Sequence, residues 1–266
     1  FRAGDTQIGF GYGFSGNPFG PIMNDFYAAA AVAGTQKQAA VAKFVEATLE
    51  ETVNNILAAN NIPGTVDITL SADDIAAIIS GDPDAANVIA AKAVDAIVEV
   101  VSPVRDAAIA DGVCNGIDAF LTGIETVLSG QGITVDLTLG GYYSTAYADT
   151  WTGSPEQKID LAVKFAEDGD VYGFNGWLTS YVAYAIADAT DTDANEVIGN
   201  AQAAVAGVYG AAQNEIDEAI SAVWMMNSEM ATREQIDNLL GGEPGDEPGD
   251  IAEAYIAGMV SQSFTS

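Results

Sequence analysis

The run DATDTDANEVIG, residues 188–199, carries the side chains of this chain best suited to holding a cation. Asp191, Asp193 and Asn195 recur at alternate positions, the spacing with which a calcium loop begins, and Ile198 falls where such a loop has its apolar residue. Asp188 supplies a further carboxylate just upstream, and Ca2+ is the cation such an all-oxygen set suits. Two positions depart from the pattern: Glu196 replaces the glycine of the sharp turn, and Gln202 stands where a bidentate Glu belongs. The same residues also read as a helix start, with Asp193 as N-cap and Glu196 as its capping-box partner. Asp82 with Asp84, and Glu167, Asp168 and Asp170, are weaker acidic loops that read as solvated turns.

Other chemistry is narrowed by what the chain lacks. It has no histidine, which removes Ser-His-Asp and Cys-His nucleophilic arrangements and every His-based metal site. No GxxxxGK[ST] loop is present, which disfavours phosphoryl transfer. Paired carboxylates, as in glycoside hydrolysis, remain, but among 38 acids some pair is inevitable and diagnoses nothing. The expectation is a protein that is not an enzyme. Cys114, the lone cysteine, rules out an intrachain disulfide and reads as a small buried apolar residue on a helix.

Aromatics form the other notable set. In FRAGDTQIGFGYGFSGNPFGP, Phe10, Tyr12 and Phe14 alternate with glycines, and Phe19 follows. A period of two suits an extended arm with one aromatic face, available for contact with another subunit. The stretch 140–154, GGYYSTAYADTWTGS, reads as a polar aromatic loop, and a third aromatic stretch spans 172–177.

The elements that must position these residues are mostly helices. Val41, Phe44, Val45, Leu49, Val53, Ile56 and Leu57 make an apolar stripe between Thr35 and Asn60, with Glu46, Glu50 and Glu51 mostly outside it. Ser71 and Asp74 predict a capping box that opens a helix through Ile79. The pattern predicts a helix from about Asp84 to Val101, stopped by Pro103, and another from Val113 to Leu128. Helices are also expected from Ser154 to Phe165 and Trp177 to Ala187, with EDGD at 167–170 as a turn. One long helix or two should cover about 193–230, and a last one follows the EPGD-repeating linker.

Two hexapeptides break the helical period: TVDITL at 65–70 and TVDLTL at 134–139, each alternating β-formers after a helix and a turn. Chance likeness, partial duplication and two strands paired in one small sheet all account for them. The expected fold is mainly α, a bundle of amphipathic helices with a small β element near 65–70 and 134–139 and an extended N-terminal arm. Its parts would be the arm (1–21), an α-rich globular domain (22–240) with a possible boundary near 140–155, a linker (241–250) and a C-terminal helix (251–266).

Composition sets the surroundings. Eight basic residues face those 38 acids, a formal charge of -30 on 266 residues. Such a field repels phosphate backbones and anionic lipid, so nucleic acid and membrane surfaces are poor partners and cations natural ones. No charge-free run reads as a bilayer span, and a first residue of Phe1 suggests a processed or trimmed start. The acid excess needs salt or bound ions to offset self-repulsion, pointing to an extracellular, cell-surface or virion setting in a marine or halophilic source. The leading expectation is a structural subunit that assembles with copies of itself, as surface layer, filament, or capsid or tail component. The alternatives are a secreted acidic binding module for cations or glycans and, after that, a carboxylate-based glycoside hydrolase.

Overall fold

The computed structural model describes residues 20–59, 61–80, 82, 84–170, 173–240 and 247–265. The four aromatics expected to contact another subunit, Phe10, Tyr12, Phe14 and Phe19, lie outside these, as do most of the arm and linker. The described residues form ten helices and no strand: α1 (Gly20–Ala59), α2 (Ala72–Ser80), α3 (Ala85–Gly130), α4 (Leu139–Tyr147), α5 (Pro155–Asp170), α6 (Trp177–Thr190), α7 (Ala194–Ala211), α8 (Gln213–Trp224), α9 (Glu229–Leu239) and α10 (Asp250–Thr265). None is long and apolar enough to cross a membrane. The chain divides into two compact units, Phe1–Ile97 with Ile236–Ser266, and Val98–Gln235.

In the first unit α1 packs against α2 and α10. It buries Val45, Leu49, Val53 and Leu57, one residue per turn, while Phe44 from the expected stripe stays 61% exposed. The capping box at α2 forms as its residues predict: the Asp74 carboxylate accepts from Ser71 N at 2.7 Å, and Ser71 Oγ accepts from Asp74 N at 3.3 Å. Asp74 is itself buried and also pairs with Lys92 Nζ at 2.5 Å.

The segment TVDITL is not a strand. Its alternation is real, since Val66, Ile68 and Leu70 are buried while Thr65, Asp67 and Thr69 are exposed. Its backbone, however, runs back along α1 and donates to that helix's own side chains. Val66 N reaches Asn54 Oδ1 at 2.8 Å, Ile68 N reaches Glu50 Oε1 at 3.0 Å, and Leu70 N reaches Glu46 Oε1 at 2.8 Å. The pitches match: four helical residues rise about 6 Å and two extended residues about 6.6 Å. A helix face bearing acceptors every fourth position thus satisfies every second N–H of an extended chain, and no partner strand is needed.

TVDLTL makes one rung of the same kind in the second unit and is likewise not a strand. Ile133 N closes the end of α3 on Leu128 O at 3.0 Å, as Ile62 N closes α1 on Leu57 O at 2.9 Å. Leu137 N then donates to Glu125 Oε1 at 2.6 Å, twelve residues back, the same separation as Val66 and Asn54. Pro63 and Gly64, which have no counterpart in the second copy, slide the first hexapeptide by two residues and so leave its buried face unchanged.

Several boundaries differ from the sequence expectation. α3 runs through Pro103, which lacks one amide donor, so the expected pair of helices is one. The predicted loop at 140–154 is mostly α4, opened by Thr138, whose side chain accepts from Gly141 N at 3.1 Å. Gly141 is required by packing, because a Cβ there would overlap the Tyr181 ring. The EDGD turn is the last turn of α5. The stretch 193–230 breaks at Ala212 into α7 and α8, with α9 following.

In the second unit α6 packs on α7 and α4, and α5 on α8. Its core gathers Phe120, Phe165 and Phe174, with ring centroids 5.0–6.0 Å apart, around Ile117, Leu121, Leu161, Leu178 and Ile186. Cys114 is buried there as expected, and burial pushes its thiol up to about 11.

Candidate functional site

The acidic run 188–195 forms the turn between α6 and α7. Asp191 sits at φ 54° as the left-handed C-cap of α6, a conformation an Asp tolerates. Asp193 is the N-cap of α7, and its Oδ1 accepts from both Asn195 N and Asn195 Nδ2 at 2.8 Å. The Asn195 N–H holds the Asp193 carboxyl below its usual value. Asp188, Asp191, Asp193 and Asn195 are all exposed, and with Tyr184, Ala187, Thr192 and Ala194 they line a surface hollow of about 450 Å³. Among the described residues no three His, Cys, Asp or Glu side chains are gathered as for a metal ion. The helix-start geometry is therefore present, with one Asp193 oxygen already engaged by α7.

Of the weaker acidic loops, Asp82 closes a local turn by accepting from Asp84 N at 3.0 Å. Asp168 is not a solvated turn residue: it is fully buried. Its Oδ2 accepts from the Tyr142 hydroxyl at 2.8 Å and from Leu178 N at 3.0 Å, and Lys164 Nζ lies 4.0 Å from Oδ1. Gly176 has no side chain with which to cap α6, so Asp168 caps it from α5. Burial, then the Asp168 charge, pushes the Tyr142 phenol well above its ordinary value. One carboxylate thus joins α4, α5 and α6, a structural task within the core. Sequence reading missed it because an i,i+4 lysine and a following glycine look the same on a solvated helix end.

Two of the aromatics of 140–154 turn inward, while Tyr147 stays 37% exposed. Tyr142 and Tyr143 are buried, and the Tyr143 ring packs at a tilt against Tyr147 and Trp151 at centroid distances of 4.8 and 5.2 Å. Large apolar exposure concentrates instead where α8 meets α9. Trp224, Met225 and Met230 are 50%, 48% and 67% exposed. The turn between the two helices is pinned from α3: Arg105 Nη2 donates to Met225 O at 2.7 Å, and Asp106 Oδ2 accepts from Asn227 N at 3.0 Å. Arg105 and Asp106 are themselves paired at 3.3 Å. Three exposed apolar residues thus lie about one tethered turn, which periodicity could not foretell, since Trp224 and Met225 sit among helical residues of ordinary spacing.

Compared with family models, curated proteins and solved structures, the chain matches none.

Proposed function

We propose that this chain is a structural subunit that assembles with copies of itself in an extracellular or virion setting of high ionic strength. The observation that carries this reading is the exposure of Trp224, Met225 and Met230 about a turn whose backbone Arg105 and Asp106 tie to α3. Exposed apolar side chains about one turn mark contact surfaces, and tying that turn's backbone in advance lowers the ordering cost of association. The charge of -30 supports the setting, because copies approach only where salt or cations screen their repulsion. Light scattering and electron microscopy in low and high NaCl, with and without calcium, test the reading. Large regular species should appear as ionic strength rises, and Trp224→Ser with Met230→Ser should weaken them while leaving the helical circular dichroism unchanged. A wild-type chain that stays monomeric under every condition overturns it.

A second reading, a secreted binding module for cations or glycans, is favoured by the hollow at the α6–α7 turn. There Tyr184 is 60% exposed beside Asp188 and Asp191, a ring next to oxygen donors.

A further inference from the structure

We propose that the two TVD segments are the complementary halves of a head-to-tail joint, the open backbone edge of 65–70 in one copy pairing with that of 134–136 in the next. The inference rests on the self-assembly reading and specifies its contact.

The edges follow from the helix-docked geometry. In extended chain the N–H and C=O of one residue share a side, and those of its neighbours take the other. Val66, Ile68 and Leu70 spend their N–H groups on α1, so the backbone groups of Thr65, Asp67 and Thr69 face away from it. Among the described residues these groups have no hydrogen-bond partner. In the second unit Leu137 N turns to Glu125, and the backbone groups of Thr134 and Asp136 are left without a partner in the same way. Each edge ends in a cap: Ser71 N goes to Asp74, and Thr138 N to the Tyr181 hydroxyl at 2.7 Å. The side chains of Thr65, Asp67, Thr69, Thr134 and Asp136 are exposed, so nothing described here covers either edge.

An uncovered edge is a template for a further strand, and strand addition draws its strength from main-chain hydrogen bonds. The occupant is indicated by the sequences, which agree at five of six positions. In one antiparallel register Asp67 lies opposite Thr134 and Thr65 opposite Asp136, giving two hydrogen-bonded pairs with the aspartates diagonal to each other. The same register sets Val66 opposite Val135 and Ile68 opposite Ile133, all on the inward face. Pairing like edges about Asp67 instead opposes two aspartates directly, which is destabilising. Joining unlike edges leaves one of each kind free at the ends, so the contact builds a ring or an open polymer.

Hydrogen exchange of the full chain, at low salt and under assembling salt, reads the joint directly. The amides of Thr65, Asp67, Thr134 and Asp136 should exchange freely in the monomer and be protected about tenfold or more in the assembly. Asp67→Pro removes an edge donor while sparing every amide bound to α1, and extended backbone accepts the ring. This variant should keep wild-type helicity and stay monomeric, whereas Asp67→Asn should still assemble. Because a proline variant can misfold, Asp136→Pro in the other unit serves as an independent partner, and the exchange measurement needs no substitution. Wild type that assembles with these amides unprotected, or proline variants that assemble normally, overturns the joint but leaves self-assembly standing. Amides already protected in the monomer overturn it as well. A wild type that never assembles overturns both readings.

Discussion

The Glu50 carboxylate accepts the backbone N–H of Ile68 at 3.0 Å, eighteen residues away along the chain. Glu46 and Asn54, one turn to either side, serve Leu70 and Val66 in the same manner. The three side chains are half-buried at the rim of the α1 stripe, whereas neighbouring Glu51 is exposed. Glu50→Ala leaves the Ile68 N–H without its acceptor beneath a buried side chain. A loss of about 1–3 kcal/mol is expected, against less than about 0.5 kcal/mol for Glu51→Ala. Glu50→Gln keeps a carbonyl acceptor and should fall between them. Urea unfolding of the three variants, with amide exchange at Ile68, checks the order. Equal effects at positions 50 and 51 would remove the ladder from the account of this fold.

That ladder marks where the sequence stopped being legible. The stripe Val45, Leu49, Val53 and Leu57 was readable because burial along a helix imposes its own period. The alternation of TVDITL was readable too, but it reports only which side of an extended chain is buried. It does not report what receives the backbone hydrogen bonds, and a strand neighbour and a row of helix carboxylates leave the same pattern. Glu46 and Glu50 are indistinguishable in sequence from acids facing water, as is Asp168 beneath α6. Pro103 misled in the other direction, since a local rule for ending helices was overridden by apolar packing on either side of it: Val101, Ala110 and Val113 are all buried. Capping at Ser71 and Asp74 was legible because both partners lie within four residues.

Asp74 should make the first unit sensitive to acid. Burial pushes its carboxyl up, but hydrogen bonds from Lys92 and then Ser71 outweigh this and hold it below 3.8. Its folded value is therefore lower than its unfolded one. The unfolded state takes up the proton first as pH falls, so the stabilisation is complete well above pH 3.8 and is lost as pH drops through the folded value. Asp74→Asn removes that titration and should flatten the stability profile below about pH 4, at a cost of about 0.5–2 kcal/mol at neutral pH from the weakened cap. Chemical denaturation from pH 2 to 7 compares the two slopes. An unchanged slope in the variant would assign the acid response to other carboxylates.

The turn between α6 and α7 is the place where capping and cation binding predict opposite things. As a cap, Asp193 acts through one oxygen that takes two N–H groups of Asn195, so its contribution is independent of calcium. Asp193→Ala should then lower the thermal midpoint by a few degrees, equally in calcium and in EDTA. Asp191 works through its left-handed backbone, and its side chain has no part in the cap, so Asp191→Asn should be nearly silent. Calcium binding makes the other prediction. The midpoint of the wild type should rise with added calcium, Asp193→Ala should lose that rise, and Asp191→Asn, which keeps a neutral oxygen, should reduce it. Sodium at matched ionic strength separates a bound ion from general screening of the chain's negative charge. Scanning calorimetry of the wild type and both variants in EDTA, calcium and sodium distinguishes the outcomes. Equal midpoints for the wild type in all three would leave Asp193 with its helix cap alone and would withdraw the hollow beside Tyr184 as a cation site.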